Sequence, residues 1–297
     1  MKYAVTGGAG FVGNNIVRKL VSKGHDVLVI DNLQVGKKEN LEGVLEKIQF
    51  YNIDIRNLEE LENTIKNVDG IFHEAALTVV QESFTKTEEY YDVNVVGTEN
   101  ILKIAKKYGI KLVFASSSAI YGDTKKIPIT EESKKEPINP YGKTKLQNEL
   151  SAEKFSKEGT KVIGLRYFNI FGKGQTGTYA GVITKFMEKI SKNEELIIFG
   201  DGKQTRDFIH IDDVVNVNII VMESDVSFGF FNVGTGVGTS INNLAKIMIE
   251  LNNKELEINY KKPLKGDIKQ SIADTEKTEK KFKWKYKISL KEGLKRF

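Results

Sequence analysis

Tyr141 and Lys145 stand four positions apart with Ser117 upstream of them, and the three side chains together could move a proton. A free phenol titrates near pH ~10, so a lone tyrosine stays protonated near neutrality. A helix brings residue i+4 onto the face of residue i. That sets the Lys145 ammonium beside the Tyr141 phenol and favours the phenolate by charge proximity. The segment from Asn139 to Glu149 suits a helix start, because Pro140 fits the first turn and good helix formers follow. On its own, such a pair is equally a solvated lysine next to a packed tyrosine, so its setting has to decide.

That setting begins with a glycine-rich turn. Thr6 closes a first strand, and Gly7, Gly10 and Gly13 follow before a helix. At a strand-to-helix turn, missing side chains let the backbone approach a pyrophosphate, and the helix N-terminus offers oriented N–H groups. Gly7, Gly10, Phe11, Val12 and Gly13 are therefore candidate cofactor contacts, although the spacing G-x-x-G-x-x-G differs from the G-x-G-x-x-G of ordinary dehydrogenases. Asp31 ends the second strand, 18 residues after Gly13, with Asn32 next to it. A carboxylate there accepts hydrogen bonds from ribose hydroxyls and repels a 2′-phosphate, which selects NAD over NADP. Asp54 and Ile55, after a third strand, reach the same rim, where they either meet the adenine or only make a turn.

The elements that must hold these residues follow from the apolar pattern. Tyr3 to Thr6, Val27 to Ile30, Gln49 to Ile53, Gly70 to His73, Leu112 to Ala115 and Val162 to Leu165 read as strands. Amphipathic stretches at Val12 to Lys23, Leu58 to Lys66, Tyr90 to Lys107 and Tyr141 to Lys157 read as helices. Continuous apolar strands alternating with helices predict an α/β fold, a doubly wound parallel sheet of Rossmann type.

After Phe168 the alternation breaks down into a glycine-rich connection (Gly172 to Gly181) and shorter elements. Helices are expected at Val182 to Lys192, Asp212 to Met222, Ile241 to Leu251 and Asp274 to Phe282. Strands are expected at Leu196 to Phe199, Phe230 to Val233 and Leu256 to Tyr260. The expected division is an NAD-binding domain over 1–168 and a smaller, mainly substrate-binding lobe over 169–297. Segments near 207–233 return to the main domain, with Asp207 to His210 and Phe230 to Val233 feeding the main sheet.

Composition narrows the function classes. The 297 residues carry 45 Lys and Arg against 40 Asp and Glu, a formal charge of +5 dispersed along the chain, which argues against a nucleic-acid partner. Cysteine is absent, so disulfides and thiolate chemistry are excluded. The chain enters a strand at once, without a signal-peptide pattern, and no apolar run approaches a membrane span, so a soluble cytoplasmic protein with no membrane partner is expected. His73 and His210 have no spaced ligand set around them, and no metal is expected.

With these residues in hand, the sequence resembles the extended short-chain dehydrogenases/reductases that act on nucleotide sugars, most closely the UDP-glucose 4-epimerases. The similarity runs over nearly the whole length. It includes Thr6 to Gly13, Asp31-Asn32-Leu33, Asp54-Ile55-Arg56, His73-Glu74-Ala75-Ala76, Asn94 to Thr98, Ser116 to Gly122, Tyr141 to Lys145, Arg166 to Asn169, and Gly200 to His210. The resemblance implies that Ser117 is the catalytic hydroxyl beside Tyr141, with Ser118 one place off that register as a second choice, and that Lys145 also holds the nicotinamide ribose. It further implies cofactor contacts at Ala75, Ala76, Asn94, Tyr167 and Phe168. Substrate contacts are implied at Ser117, Ser118, Tyr141, Asn169, Val182, Phe199 (uracil), Arg206 (diphosphate) and Asp267. From the residues alone, Arg206 in a loop between two strands is as well a surface residue. A homodimer is implied through the helices at Tyr90 to Lys107 and Tyr141 to Lys157.

In that family NAD stays bound while a base takes the 4-OH proton, and a 4-keto sugar forms and is reduced on its other face. Dehydratase relatives carry an Asp-Glu pair after the catalytic hydroxyl, and here Ser118-Ala119 stand there, which removes the general acid and base of elimination. The resemblance therefore implies C4 epimerisation of a UDP-hexose, UDP-glucose and UDP-galactose or the N-acetylated forms. The alternatives are a UDP-uronate epimerase, a dehydratase, or a non-catalytic NAD-binding sensor. A small Ser271 falls at the position that gates an N-acetyl group, and Leu264 replaces an arginine that contacts the diphosphate in many relatives, with Lys265 as a substitute charge.

Overall fold

Runs of β-branched and aliphatic residues, apolar on both faces, form a parallel sheet because only a sheet covered on both sides buries them. The computed structural model describes residues 1–175 and 181–297, so the middle of the glycine-rich connection lies outside the described residues. In spatial order the main sheet is β3 (Ile48–Tyr51), β2 (Asp26–Ile30), β1 (Lys2–Thr6), β4 (Gly70–His73), β5 (Lys111–Ser117), β6 (Val162–Tyr167) and β10 (Phe228–Val233). Every neighbouring pair is parallel. Parallel neighbours require crossovers, which α1 (Phe11–Ser22), α2 (Leu58–Ile65), α5 (Gly97–Tyr108), α6 (Pro140–Lys157) and α8 (Ile211–Glu223) provide.

Alternate strand residues face opposite layers. Val5 and Val29 pack with Ile16, Leu20, Val214 and Val217 of α1 and α8, while Ala4, Leu28 and Ile71 pack with Leu61, Ile101 and Leu102 of α2 and α5. The expected doubly wound sheet is therefore present. Strand order reverses between β1 and β4, and at such a point the connections leave in opposite directions and open a crevice at the carboxyl ends.

The expected helix at Tyr90 to Lys107 is broken. After α3 (Val80–Ser83) come α4 (Thr87–Tyr91), a π-helical turn over Asp92–Val96, and only then α5. Asn94 in the wide turn accepts a hydrogen bond from Leu77 N (2.8 Å) and donates to Leu77 O (3.0 Å) and Thr144 Oγ1 (3.1 Å). One tertiary tether thus widens the turn, as π-turns inside helices commonly do near functional sites.

The two segments expected to rejoin the main sheet part company. Phe230 to Val233 lies in β10, beside β6. Asp207 to His210 instead lies in β9 (Thr205–His210), which forms a small sheet with β7 (Asn169–Phe171), β11 (Gly238–Ser240) and β13 (Gln270–Ser271). Asp207 anchors it there: its carboxylate accepts from Thr235 N (2.8 Å), Thr235 Oγ1 (2.6 Å), Gly236 N (2.9 Å) and Ala273 N (3.1 Å). A further pair, β8 (Leu196–Phe199) with β12 (Ile258–Lys261), packs with α7 (Val182–Ser191) and α9 (Ile241–Leu251) around Phe186, Ile198, Leu244 and Met248. The chain ends through α10 (Glu276–Phe282) and α11 (Leu290–Leu294).

Candidate active site

The start of α6 is built by its own residues: Pro140 occupies the first turn and Asn139 Oδ1 accepts from Gly142 N at 2.8 Å. This turns Tyr141 and Lys145 toward the end of β5. There Ser117 Oγ accepts from Ala119 N (3.1 Å), and its hydroxyl stands in the cleft wall with the Tyr141 phenol, close enough to lower its pKa. Lys145 differs from expectation. Its ammonium donates to Ala115 O at 2.8 Å, across to β5, so the direct approach to the phenol does not form. Burial raises the Tyr141 pKa above that of a free phenol, the Ser117 hydroxyl lowers it, and the charge of Glu74 raises it. Burial also pulls Lys145 down to about 8, against the pull of Glu74.

The pair is seated by a buried ion pair on the same helix. Arg166 of β6 donates to both oxygens of Glu149, from Nε and Nη2, each at 2.8 Å, and Ser116 Oγ donates to Glu149 Oε1 at 2.6 Å. Arg166 also donates to Tyr121 OH (2.7 Å) and Glu131 O (3.0 Å). These bonds bolt α6 to β5 and β6 two turns beyond Tyr141.

The glycine turn makes a cradle. Gly7 has φ +65°, and a Cβ there would lie 2.6 Å from Ala75 N; at Gly13 it would lie 2.1 Å from Gly7 O. The first i→i−4 bond of α1 runs from Asn14 N to Gly10 O at 3.0 Å, so the amides of Phe11, Val12 and Gly13 precede it and lack intrahelical acceptors. Asp31 accepts from Ala9 N (2.9 Å) on one oxygen and from Leu33 N (2.8 Å) on the other. It braces the turn and keeps lone pairs for ribose hydroxyls. Its burial raises its pKa against those two bonds. Asp54 is held down at about 2, chiefly by Arg56 (2.7 Å), with Asn32 Nδ2 donating to it at 2.9 Å.

One cleft joins these parts. Its walls include Gly7, Gly10, Phe11, Val12 and Gly13, then Asp31, Asn32, Asp54 and Ile55, and at the far end Ala75, Ala76, Ser117, Tyr141, Lys145, Tyr167, Phe168 and Asn169. Free amides at a helix start, a carboxylate at the end of β2 and an apolar floor suit a dinucleotide. Asn94 is not brought to the cleft: it is fully buried behind it, with its amide bonded to protein. Ser118 lies outside the cleft wall as well.

A second cavity contains Phe199 and Asp267, together with Gln204, Tyr260 and Leu264. Arg206 is in β9 and not in a loop, and only 12% of its side chain is exposed, so the surface alternative falls. It ion-pairs with Asp267, while burial lowers its pKa. Val182 opens α7, and Ser271 is buried in β13 opposite Arg206; neither is in the wall of these two cavities. Lys265 lies over the Phe84 ring at 4.8 Å.

Glu74 is the cleft residue that spacing did not flag. It follows β4 directly, opens to the cleft, and accepts from Tyr167 OH at 3.0 Å. Burial raises its carboxyl to about 8, against the Tyr167 bond and the Lys145 charge. An acid after a strand-end histidine has no rule of its own; its only sequence signal is its place beside the cleft loop. His73 before it is a brace, its Nδ1 2.6 Å from Thr6 Oγ1 and its Nε2 2.9 Å from Thr98 Oγ1. Burial first, and then the Lys145 charge, push it down to about 3. Among the described residues no cluster of metal-ligating side chains occurs.

Known proteins share this arrangement. The model of the NAD dependent epimerase/dehydratase family matches residues 3–234. A putative UDP-glucose 4-epimerase of Methanocaldococcus jannaschii is 40% identical over 98% of this chain and 95% of its own. The crystal structure of UDP-glucose 4-epimerase from Thermotoga maritima with UDP-glucose superposes with a TM-score of 0.95 at 40% identity, covering 100% of this chain and 97% of that one. UDP-N-acetylglucosamine 4-epimerase from Methanobrevibacter ruminantium, in complex with UDP-N-acetylmuramic acid, gives a TM-score of 0.95 at 35% identity, covering 99% and 96%.

Proposed function

The chain belongs to the NAD dependent epimerase/dehydratase family, and we propose that its site inverts C4 of a UDP-hexose, interconverting UDP-glucose and UDP-galactose. The observation that carries this reading is the meeting of Ser117, Tyr141 and Lys145 in the wall of one cleft with the glycine turn and Asp31.

The glycine turn, Asp31 and Lys145 would hold NAD, which when bound would supply a reversible hydride acceptor for the sugar C4. Tyr141, in its phenolate form, takes the 4-OH proton as C4 is oxidised, and Ser117 hydrogen-bonds the same oxygen, so the proton is passed without crossing water. Lys145 fixes α6 against β5 through Ala115. Tyr141 returns the proton when the carbonyl is reduced on its opposite face. Ser117, and not Ser118, takes the hydroxyl role because it is the one in the cleft wall with the phenol.

We assign the substrate's nucleotide end to the second cavity, with Phe199 at the uracil and Arg206 at the diphosphate. A guanidinium suits phosphate oxygens, and the Asp267 pair holds it in place until they arrive. Asn169, at the cleft end, and Val182, at the start of α7, are assigned to the sugar diphosphate side. Residues 1–168 then serve NAD and 169–297 mainly the substrate, with α8 and β10 returning to the main sheet. A homodimer through α4 to α6 is supported by the exposed Tyr91, Tyr108 and Leu150 on those helices; sedimentation at a monomer's mass would exclude it. Among the described residues no helix is long and apolar enough to cross a membrane.

The test is incubation of purified protein with UDP-galactose, followed by NMR. Appearance of UDP-glucose is the expected result, unchanged sugar with NAD bound would favour the sensor, and a 4-keto-6-deoxy sugar would favour the dehydratase.

A further inference from the structure

We propose that Glu74 is a positioning residue of the Tyr141–Lys145 base: its carboxyl is held neutral in the working site, and its ionisation shuts the base down.

The geometry sets this up. Glu74 projects from the end of β4 into the cleft whose far wall is Ser117, Tyr141 and Lys145. The titratable groups that act with it are Tyr141 and Lys145 from α6 and Tyr167 from β6, while the His73 ring before it is turned to Thr6 and Thr98. Asn218 of α8 donates to Tyr167 OH at 2.8 Å, which leaves the Tyr167 hydroxyl proton for Glu74 Oε1, 3.0 Å away, or for Asn218 Oδ1, 3.1 Å away. One weak neutral donor is a poor substitute for water around a carboxylate. Its exposure is to the cleft, so a bound cofactor and sugar enclose it further.

The consequence for the base is a matter of sign. A neutral Glu74 adds no negative charge beside a phenol that must become anionic, with the Lys145 ammonium in the wall of the same cleft. An ionised Glu74 places a second negative charge at the same site, raises the Tyr141 pKa and draws on the Lys145 charge. Raised to about 8, the carboxyl changes state within the working range of pH. Lys145, pulled down to about 8, loses its charge in the same window, so the part of the fall in rate that belongs to Glu74 is the part that Glu74→Gln removes. This inference rests on the epimerase reading, in which Tyr141 is the base.

The experiment has two arms on NAD-containing protein. The first is kcat/KM for UDP-galactose from pH 6 to 10 in wild type, Glu74→Gln and Tyr167→Phe. Wild type should lose rate above pH 8, approaching about tenfold per unit. Glu74→Gln should make that limb shallower and shift its midpoint, leaving the share that belongs to Lys145, and Tyr167→Phe, which removes the donor that favours the ionised carboxyl, should move the Glu74 share to higher pH. A limb unmoved in both variants overturns the proposal. The second arm is infrared titration with carboxyl-13C glutamate. A glutamate band titrating near pH 8 and absent from Glu74→Gln supports the proposal; no such band overturns it. This arm reads Glu74 even if no sugar is turned over, a result that would sink the epimerase reading alone.

Discussion

Lys145 donates a hydrogen bond to the main-chain carbonyl of Ala115, 2.8 Å away on β5, although Tyr141 lies one helical turn before it on α6. The lysine acts as a strut between helix and strand. The phenol's own neighbour is Ser117, and that hydroxyl is what lowers its pKa against burial.

Tyr141→Phe removes the proton acceptor and leaves the cradle intact. The variant should lose about 10²–10⁴-fold in kcat, the usual contribution of a placed acid–base group, while copurifying with NAD as wild type does. Steady-state turnover and NAD content by absorbance after acid release check both halves.

Gly13→Ala puts a methyl where Gly7 O already lies, 2.1 Å from the added carbon. Backbone has to shift, at about 1–3 kcal/mol, so NAD affinity should fall roughly five- to a hundredfold. Titration calorimetry of the NAD-free protein reads this directly.

Arg166→Met leaves the Glu149 carboxylate buried without its bidentate partner. Removing one member of a buried pair costs about 3–5 kcal/mol, and that loss should appear in urea unfolding. The double variant Arg166→Met, Glu149→Leu should recover part of it, because no unpaired charge then remains.

His73 is neutral in the fold, pushed down to about 3, whereas an unfolded histidine takes a proton near pH ~6.5. The unfolded state therefore binds more protons between those values, and stability rises with pH across that window. Relative to His73→Asn, wild type should gain stability as pH rises from about 3 to 6.5, by an amount on the order of a few kcal/mol. Denaturant unfolding at pH 4, 5 and 6.5 in both proteins measures it; parallel curves would contradict a neutral, buried His73.

The parallel sheet and the glycine cradle were legible in the sequence, because each rests on local signals: continuous apolar runs, and glycines at a strand-to-helix turn followed by Asp31. What stayed hidden depends on contacts distant in the chain. The π-turn at Asp92–Val96 exists because Asn94 reaches Leu77 and Thr144. β9 joins the small sheet because four donors from two loops converge on Asp207. Lys145 shares a helix face with Tyr141, as i and i+4 spacing requires, but a long flexible side chain takes the nearest acceptor, and helical spacing does not reveal Ala115. Glu74 was named only inside the His73 to Ala76 match and given no role, because only the folded cleft brings it to the base.

The most direct test of the account is UDP-galactose carrying deuterium at C4, incubated with the purified protein in ordinary water and followed by NMR. Oxidation and return within one site predict UDP-glucose with the deuterium still at C4. UDP-glucose with that label replaced by solvent hydrogen, or UDP-galactose left unchanged by protein that holds NAD, would contradict it.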